Sequence, residues 1–290
     1  MIIIKIFGGL GNQLFQYSFG KYLELKLNTI VKYDIQTNKK IKNFTSRDIE
    51  LQFLNISLEI ATEDEIKKLK YFTSGILSRI ERKIAQKLPC IIRSYFVEPS
   101  VQTIINYQNL KDNCYYDGYW QSYKYLSDIE IAPYKEISKK NFLVDKETQA
   151  TKILSNESIS IHIRRGDYLS IKKNSEIFSV CDMSYYEKAI LYITQRLPKP
   201  NFFIFSDDID WAQRNFFGQQ FYFIDGNIPS EDMHLMSLCK HNIIANSTFS
   251  WWAAWLNSNK NKIVIAPKQW YIGPLNKSTE NLIPNSWIRM

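Results

Sequence analysis

Short apolar runs recur along the second half of this chain, and each of them gives way to polar residues. Five runs predict strands over residues 158–163, 202–206, 221–225, 242–245 and 262–266. Segments with helical periodicity lie between these runs, and Ser230 is the predicted N-cap of one that reaches Cys239. Strands that alternate with helices predict an α/β fold with a doubly wound parallel sheet.

The first half begins with the same pattern. Residues 2–7 predict a strand, residues 8–11 a glycine turn and residues 13–27 a helix, and a second strand over residues 29–33 ends at Asp34. Beyond Asp34 the pattern of the first half becomes less clear than that of the second.

Two further segments shape the expected organisation. Residues 63–87 carry acidic side chains early and basic ones late, which predicts one long helix because this order suits the helix dipole. Residues 136–157 are polar and poor in pattern, as linkers are. We therefore expect two domains, residues 1–150 and residues 151–290.

Polar side chains follow the predicted strands of the second half. The clusters are Arg164, Arg165 and Asp167; Asp207 and Asp208; Asp225 and Asn227; and Asn246, Ser247 and Thr248. Because parallel strands end at the same edge of a sheet, these side chains are expected to meet in a ligand-binding crevice.

The two arginines indicate a phosphorylated ligand. A guanidinium presents a planar fork of donors that matches phosphate oxygens. The alternative is a loop ion-pair network among Arg164, Arg165 and Asp167. Ser247 or Thr248 lies at a predicted helix N-terminus, where anions bind, although a plain N-cap explains it equally well.

Asp207, Asp208 and His162 each allow two interpretations. Either aspartate can accept hydrogen bonds from ribose hydroxyls or a base, or it can cap a helix. His162 alternates with isoleucines in its strand, so it lies on the opposite face or toward the crevice; a satisfied core histidine is the alternative. We interpret His234 and His241 as structural.

Composition narrows the classes of partner. The net charge of +8 favours anionic partners, but the basic residues are dispersed, which argues against a nucleic-acid-binding arm. The four cysteines lack metal-ligand spacing and are expected to be reduced, mostly buried thiols. We see no signal-peptide core, no membrane span and no amphipathic anchor, so a cytoplasmic location is expected.

The N-terminal glycines offer a competing interpretation. Gly9-x-Gly11 between a strand and a helix, with Asp34 ending the next strand, is similar to a dinucleotide-binding fingerprint. Leu14 occupies the third glycine position, however, and the arginines of the second half remain unexplained. A nicotinamide-dependent oxidoreductase is therefore kept as an alternative.

Four motifs together resemble the bacterial α-1,2-fucosyltransferases of glycosyltransferase family 11. They are GGLGNQLFQY (8–17), HIRRGDYL (162–169), FSDD (205–208) and NSTFSWWAAWL (246–256), in the order of the family. The resemblance implies a GT-B architecture of two facing Rossmann-like domains, in which the C-terminal half binds GDP-fucose and the N-terminal half serves the acceptor. A non-catalytic sugar-nucleotide- or glycan-binding protein is the other alternative.

The resemblance also implies roles for individual residues. Arg164 would bind the donor diphosphate, Asn12 would face the reacting centre, and both, with His162, are the expected catalytic residues. The expected donor contacts are His162, Arg164, Arg165, Asp167, Ser206, Asp207, Asp208, Asn246, Ser247, Thr248 and Ser250. No general base is identified, since Asp167, Asp207 and Asp208 qualify only by charge. We expect no metal and no cofactor.

The implied reaction is an inverting transfer of fucose from GDP-fucose to the 2-hydroxyl of a terminal β-galactoside. The acceptor would belong to an O-antigen or similar surface glycan and can be a lipid-linked oligosaccharide. Such an enzyme is expected in the cytoplasm, with peripheral association at the inner membrane face and no nucleic-acid partner.

Overall fold

The computed structural model describes residues 1–36, 48–88, 91–99, 110–126 and 144–290. The chain divides into two compact units, one of Met1–Pro133 with Glu280–Leu282 and one of Tyr134–Thr279 with Ile283–Met290. The expected boundary at residue 150 falls inside a helix, Val144–Leu154, that belongs to the second unit. The assignment of acceptor and donor roles to the two halves stays a prediction.

The first unit contains a parallel four-stranded sheet in the order β2-β1-β4-β3. Its strands are β1 (Ile2–Lys5), β2 (Val31–Asp34), β3 (Tyr95–Val97) and β4 (Tyr115–Asp117). Helix α1 (Leu10–Leu27) follows β1 and begins three residues before the predicted start. The reason is that the backbone N–H groups of Asn12 and Gln13 both bond to the carbonyl of Gly9, which closes the first turn early. Short 3-10 turns lie at Leu51–Leu54 and Tyr123–Tyr125.

The single long helix predicted for this unit is wrong, because two helices replace it. Helix α2 (Glu63–Leu69) ends before helix α3 (Gly75–Lys87) begins. Between them, the carboxylate of Glu81 accepts the backbone N–H groups of Tyr71 and Phe72 at 2.6 and 3.1 Å. These N–H groups would bond within a continuous helix, so a side chain from the next helix stabilises the break instead.

The second unit contains a parallel six-stranded sheet in the order β10-β9-β8-β5-β6-β7. The strands are β5 (Ser158–Ile163), β6 (Asn201–Ser206), β7 (Phe221–Ile224), β8 (His241–Ile243), β9 (Val264–Ala266) and β10 (Ile288–Arg289). The helices of this unit are Val144–Leu154, Gly166–Ser170, Lys172–Ser175, Met183–Thr194, Ile209–Asn215, Pro229–Leu238 and Thr248–Leu256, and a 3-10 helix spans Gly273–Asn281. The predicted α/β class with parallel sheets is confirmed.

The core of the second unit follows from the alternation in β5. Ile159, Ile161 and Ile163 are fully buried and belong to one apolar cluster with Tyr186 and Ile193 of the helix Met183–Thr194. Because successive side chains of a strand point to opposite faces, His162 lies on the other face. There its ring contacts that of Phe249, with 5.5 Å between the centroids.

The expected cap at Ser230 is wrong. The helix Pro229–Leu238 has Ile228 as its N-cap, and the side chain of Glu231 accepts the backbone N–H of Ile228 at 3.1 Å. Proline favours the first helical position because its missing N–H would have no partner there in any case. Pro229 therefore sets the start of the helix one residue ahead of Ser230.

Candidate functional site

The carboxyl ends of β6, β5 and β8 lie side by side in the second unit. Ile163 of β5 pairs with Ser206 of β6, and Ile161 of β5 pairs with Ile243 of β8. The residues that follow these strands therefore start at the same edge of the sheet. The chain order also reverses between β5 and β8, and α/β sheets bind ligands at such a switch point.

Arg164 forms an ion pair at this edge. Its Nη1 atom lies 2.9 Å from Oδ2 of Asp207, and the two side chains are about one fifth and one quarter exposed. The guanidinium also lies 5.7 Å from the ring of Tyr168. Since a guanidinium has five N–H donors, a carboxylate partner leaves it the capacity to bind an anion as well.

Arg165 is held from two sides. Its Nε atom lies 3.3 Å from Oδ2 of Asp208, and its guanidinium carbon lies 4.2 Å from the centre of the Trp211 ring. Its backbone N–H donates to Oδ1 of Asp207 at 2.8 Å. Both arginines thus form ion pairs, but with Asp207 and Asp208, whereas the predicted alternative was a loop network with Asp167. The side chain of Asp167 lies outside the part that the structure describes.

The two aspartates have different local roles. Asp208 accepts the backbone N–H of Trp211 at 3.1 Å and so caps the helix Ile209–Asn215, as one of the two interpretations predicts. Its own backbone N–H donates to the hydroxyl of Ser206 at 2.9 Å. Asp207 caps no helix in the described residues. A Cβ atom at Gly166 would lie 3.0 Å from Oδ2 of Asp207, which explains the glycine after the two arginines.

His162 is buried behind the arginines. Burial lowers its pKa to about 3; the charge of Asp207 raises it in part and that of Arg164 lowers it further. Its Nδ1 atom has no hydrogen-bond partner among the described residues. The imidazole is therefore neutral at pH 7, which excludes it as a fixed cation for a phosphate.

The helix Thr248–Leu256 starts at the same edge. Ser247 is its N-cap and accepts the backbone N–H of Phe249 at 3.3 Å. The hydroxyl of Ser250 donates back to the Ser247 carbonyl at 3.3 Å. Thr248 is partly exposed, whereas Ser247 and Ser250 are buried. Of these three hydroxyl side chains, that of Thr248 is the most accessible to a ligand.

Asn246 anchors the start of this helix from within the protein. Its side chain is fully buried, and its amide donates to the carbonyls of Ser179 and Trp270. Its own carbonyl accepts the hydroxyl of Tyr168 at 2.9 Å. This geometry favours a positioning role, and the donor contact expected of Asn246 stays a prediction, as do those of the other residues of the set.

The glycine turn of the first unit holds Asn12. Gly8 has φ +82°, and a Cβ atom there would lie 2.8 Å from Nδ2 of Asn12. The Oδ1 atom of Asn12, which is partly exposed, accepts Nε2 of Gln121 at 2.9 Å. Nearby, Gln16 accepts the backbone N–H of Phe7 and donates to the carbonyl of Gly118. The turn after β1 is thereby tied to the segment after β4.

The remaining histidines and cysteines serve the fold. Nδ1 of His241 accepts the backbone N–H of Ile263 at 2.9 Å, and Nε2 lies 3.2 Å from Glu157. Burial lowers the pKa of His234 to about 4. The three cysteines in the described part are buried and form no disulfide: Cys114, Cys181 and Cys239. Cys90 lies outside it.

Three contacts of the predicted site residues, two in the second unit and one in the first, were missed by the sequence reasoning. Trp211 stacks on Arg165, Tyr168 hydrogen-bonds Asn246, and Gln121 hydrogen-bonds Asn12. Tyr168 lies within the arginine motif, so that motif was a usable signal. Trp211 follows Asp208 by three residues, which is the spacing of a cap and the N–H that it accepts. Nothing in the sequence links Gln121 to Asn12.

Comparison with protein families matches the model of "Glycosyl transferase family 11" over residues 1–290. The O-antigen biosynthesis glycosyltransferase WbnK of Escherichia coli is 34% identical and covers 98% of both chains. An α-1,2-colitosyltransferase of Escherichia coli is 31% identical over 100% of this chain and 99% of its own length. The galactoside 2-α-L-fucosyltransferase SEC1 of Bos taurus is 31% identical over 34% of this chain and 28% of its own. Among solved structures, the α-1,6-fucosyltransferase NodZ co-crystallized with GDP has a TM-score of 0.46 at 11% identity and covers 88% of this chain and 91% of that one.

Proposed function

This chain belongs to glycosyl transferase family 11, and on that premise we propose that it transfers L-fucose from GDP-β-L-fucose to the 2-hydroxyl of a terminal β-galactoside. The name of the bovine relative contains this donor sugar and this linkage. The name of WbnK supports a role in O-antigen biosynthesis. The transfer would invert the anomeric carbon, so that a β-linked donor gives an α-fucoside.

The observation that carries the proposal is the pair of arginines at the switch point of the second sheet. Departure of GDP leaves a growing negative charge on the diphosphate, and preorganised cations stabilise such a charge. Arg164 is held at the sheet edge by Asp207, and Arg165 by Asp208 and Trp211. In this proposal the guanidinium groups take the place of a divalent metal on the diphosphate.

We also propose a role for the two aspartates at this edge. Asp207 and Asp208 each face an arginine, so we assign them to holding the guanidinium groups and not to removing the acceptor proton. His162 is neutral and buried. We place it under the donor-binding edge, where it packs against Phe249 of the adjacent helix. Asn12 would face the acceptor.

A second donor has specific support. The colitosyltransferase relative is 31% identical over the whole of this chain. Colitose is the 3-deoxy analogue of L-fucose, so a site for either sugar would differ by the contacts of one hydroxyl. A site that bonds that hydroxyl discriminates strongly against the sugar that lacks it.

The direct test supplies the purified chain with GDP-L-fucose, GDP-L-colitose, a UDP-sugar or NADH, each with a panel of terminal β-galactosides. We expect GDP-L-fucose to be consumed and NMR of the product to show an α-linkage to the 2-hydroxyl. Faster transfer from GDP-L-colitose would assign the second donor. GDP binding without turnover on any acceptor would support a non-catalytic protein, and NADH binding in preference to GDP would support an oxidoreductase.

A further inference from the structure

The first unit exposes a group of large apolar side chains that no sequence motif accounts for. Tyr71 and Ile76 are each 73% exposed, and Leu77 is 55% exposed. Phe72 and Ile80 are exposed beside them. We call these five residues, which lie on α3 and the turn before it, the α3 apolar surface.

The fold holds this surface outward. Glu81 and Ala85 are the buried residues of α3, and the apolar positions 76, 77 and 80 lie along the adjoining flank of the helix. The carboxylate of Glu81, only 3% exposed, binds the backbone N–H groups of Tyr71 and Phe72. The aromatic turn is therefore fixed to the helix.

The exposed charges of α3 are all basic. Arg79, Arg82, Lys83 and Lys87 are exposed, whereas Glu81, the helix's one acid, is buried. On a helical projection, Lys83 and Lys87 adjoin the flank that carries Ile76 and Ile80. Helix α3 is thus amphipathic, although the sequence analysis expects no amphipathic anchor. Acidic residues in the predicted helix 63–87 mask the pattern, and they belong to the separate helix α2.

We propose that the α3 apolar surface docks on the face of an anionic phospholipid bilayer. Aromatic and aliphatic side chains next to long basic ones are the composition of helices that lie in the membrane interface, and the chain's net charge of +8 acts in the same direction. None of the described helices is long and apolar enough to span a bilayer, so docking would be peripheral.

The position of α3 would bring the membrane close to the acceptor side of the first unit. Nε of Arg82 lies 3.1 Å from Oδ2 of Asp117, the last residue of β4. The segment that follows β4 holds Asn12 through Gln121. A bilayer under α3 would thus lie near the edge of the first sheet that the proposed function gives to the acceptor. The docking itself depends on no assumption about donor or acceptor.

The test is a flotation assay that measures binding of the full chain to lipid vesicles. One set of vesicles is pure phosphatidylcholine, and the other contains about 30% phosphatidylglycerol as well. We expect binding to the anionic vesicles alone, weakened by high salt because salt screens exposed charges. Ile76→Asn with Leu77→Asn, or Lys83→Glu with Lys87→Glu, should each lower the partition coefficient about tenfold or more.

Matched controls carry equivalent changes in the second unit, at Leu191→Asn with Phe217→Asn and at Lys188→Glu with Lys260→Glu, all of them exposed positions. They should bind as the unchanged chain does, and circular dichroism should show all variants folded. No binding by the unchanged chain, or equal losses in controls and α3 variants, would overturn the proposal. So would a dimer in solution that the α3 variants abolish, because the surface would then bind a second copy. The assay contains no sugar nucleotide, so its failure leaves the proposed reaction untouched.

Discussion

Arg164 and Asp207 are joined by an ion pair of 2.9 Å at the edge where β5 and β6 end. The same carboxylate accepts the backbone N–H of Arg165, and Gly166 lets the chain pass close to it. Asp207 thus fixes both the side chain of one arginine and the backbone of the next. The arginines are therefore set in place by the protein before any anion arrives.

We expect Asp207→Asn to lower kcat/KM for the donor by about ten- to a hundredfold, because hydrogen bonds to charged groups contribute about 1.5–3 kcal/mol. The amide keeps the shape of the carboxylate but loses its charge. Steady-state kinetics with a varied donor would measure the effect. Asp210→Asn changes an exposed acid three residues further on, in the next helix, and is the matched control. Equal kcat/KM values for the two variants would show that Asp207 does not contribute to the site.

Arg164 itself is expected to be more sensitive than Asp207. Arg164→Lys keeps the charge but loses the planar fork, so turnover should still fall severely. Arg164→Ala should nearly abolish turnover, with an unchanged circular dichroism spectrum. Calorimetry with GDP would show whether affinity falls in parallel. Near-normal activity in either variant would place the diphosphate elsewhere.

Metal independence follows from the proposed use of two guanidinium groups on the diphosphate. Activity should survive excess EDTA, with modest stimulation at most from added Mg²⁺ or Mn²⁺. The assay needs a metal-dependent glycosyltransferase in the same buffer, to show that chelation is complete. Loss of activity on chelation and its return with Mn²⁺ would contradict the assignment.

Five of the six strands of the second sheet were predictable because each is a short apolar run that ends in polar residues, whereas the two-residue strand β10 was not predicted. β5 matches its predicted bounds, and β6 differs by one residue. The ends of helices that depend on residues distant in the sequence were not predictable. The break before α3 depends on Glu81, which binds backbone groups nine and ten residues earlier.

The predicted site residues show the same difference between what the sequence reveals and what only the fold creates. The arginines and aspartates were found from the sequence because they follow strands whose ends share an edge. Their pairing could not be found from the sequence, because Arg165 and Asp208 are 43 residues apart and the register of β5 against β6 decides the contact. Gln121 and Asn12 are 109 residues apart, so only the folded first sheet brings them together.

Gln121 is expected to act on the reaction through Asn12. Gln121→Leu removes the donor that holds Oδ1 of Asn12 at 2.9 Å, so kcat should fall several-fold while the KM of the donor stays unchanged. Gln121→Asn tests whether a shorter amide restores part of the effect. Gln86→Leu is the control, because Gln86 is exposed and donates to the carbonyl of Pro99. A change confined to thermal stability would leave Gln121 a purely structural role.

His162 should make the folded state sensitive to acid. Burial lowers its pKa to about 3 in the folded chain, against about 6.5 for an unperturbed histidine. As the pH falls below about 6.5, the unfolded chain takes up a proton that the folded chain does not, so stability present above that pH is lost toward pH 3. Between pH 6.5 and 5 this residue lowers the free energy of unfolding by about 2 kcal/mol at most.

Urea unfolding at pH 7.5 and at pH 5 should show a smaller difference in the free energy of unfolding for His162→Gln than for the unchanged chain. His234, whose pKa burial lowers to about 4, remains in that variant and keeps part of the acid sensitivity. An equal loss in both proteins would mean that His162 takes up its proton without unfolding.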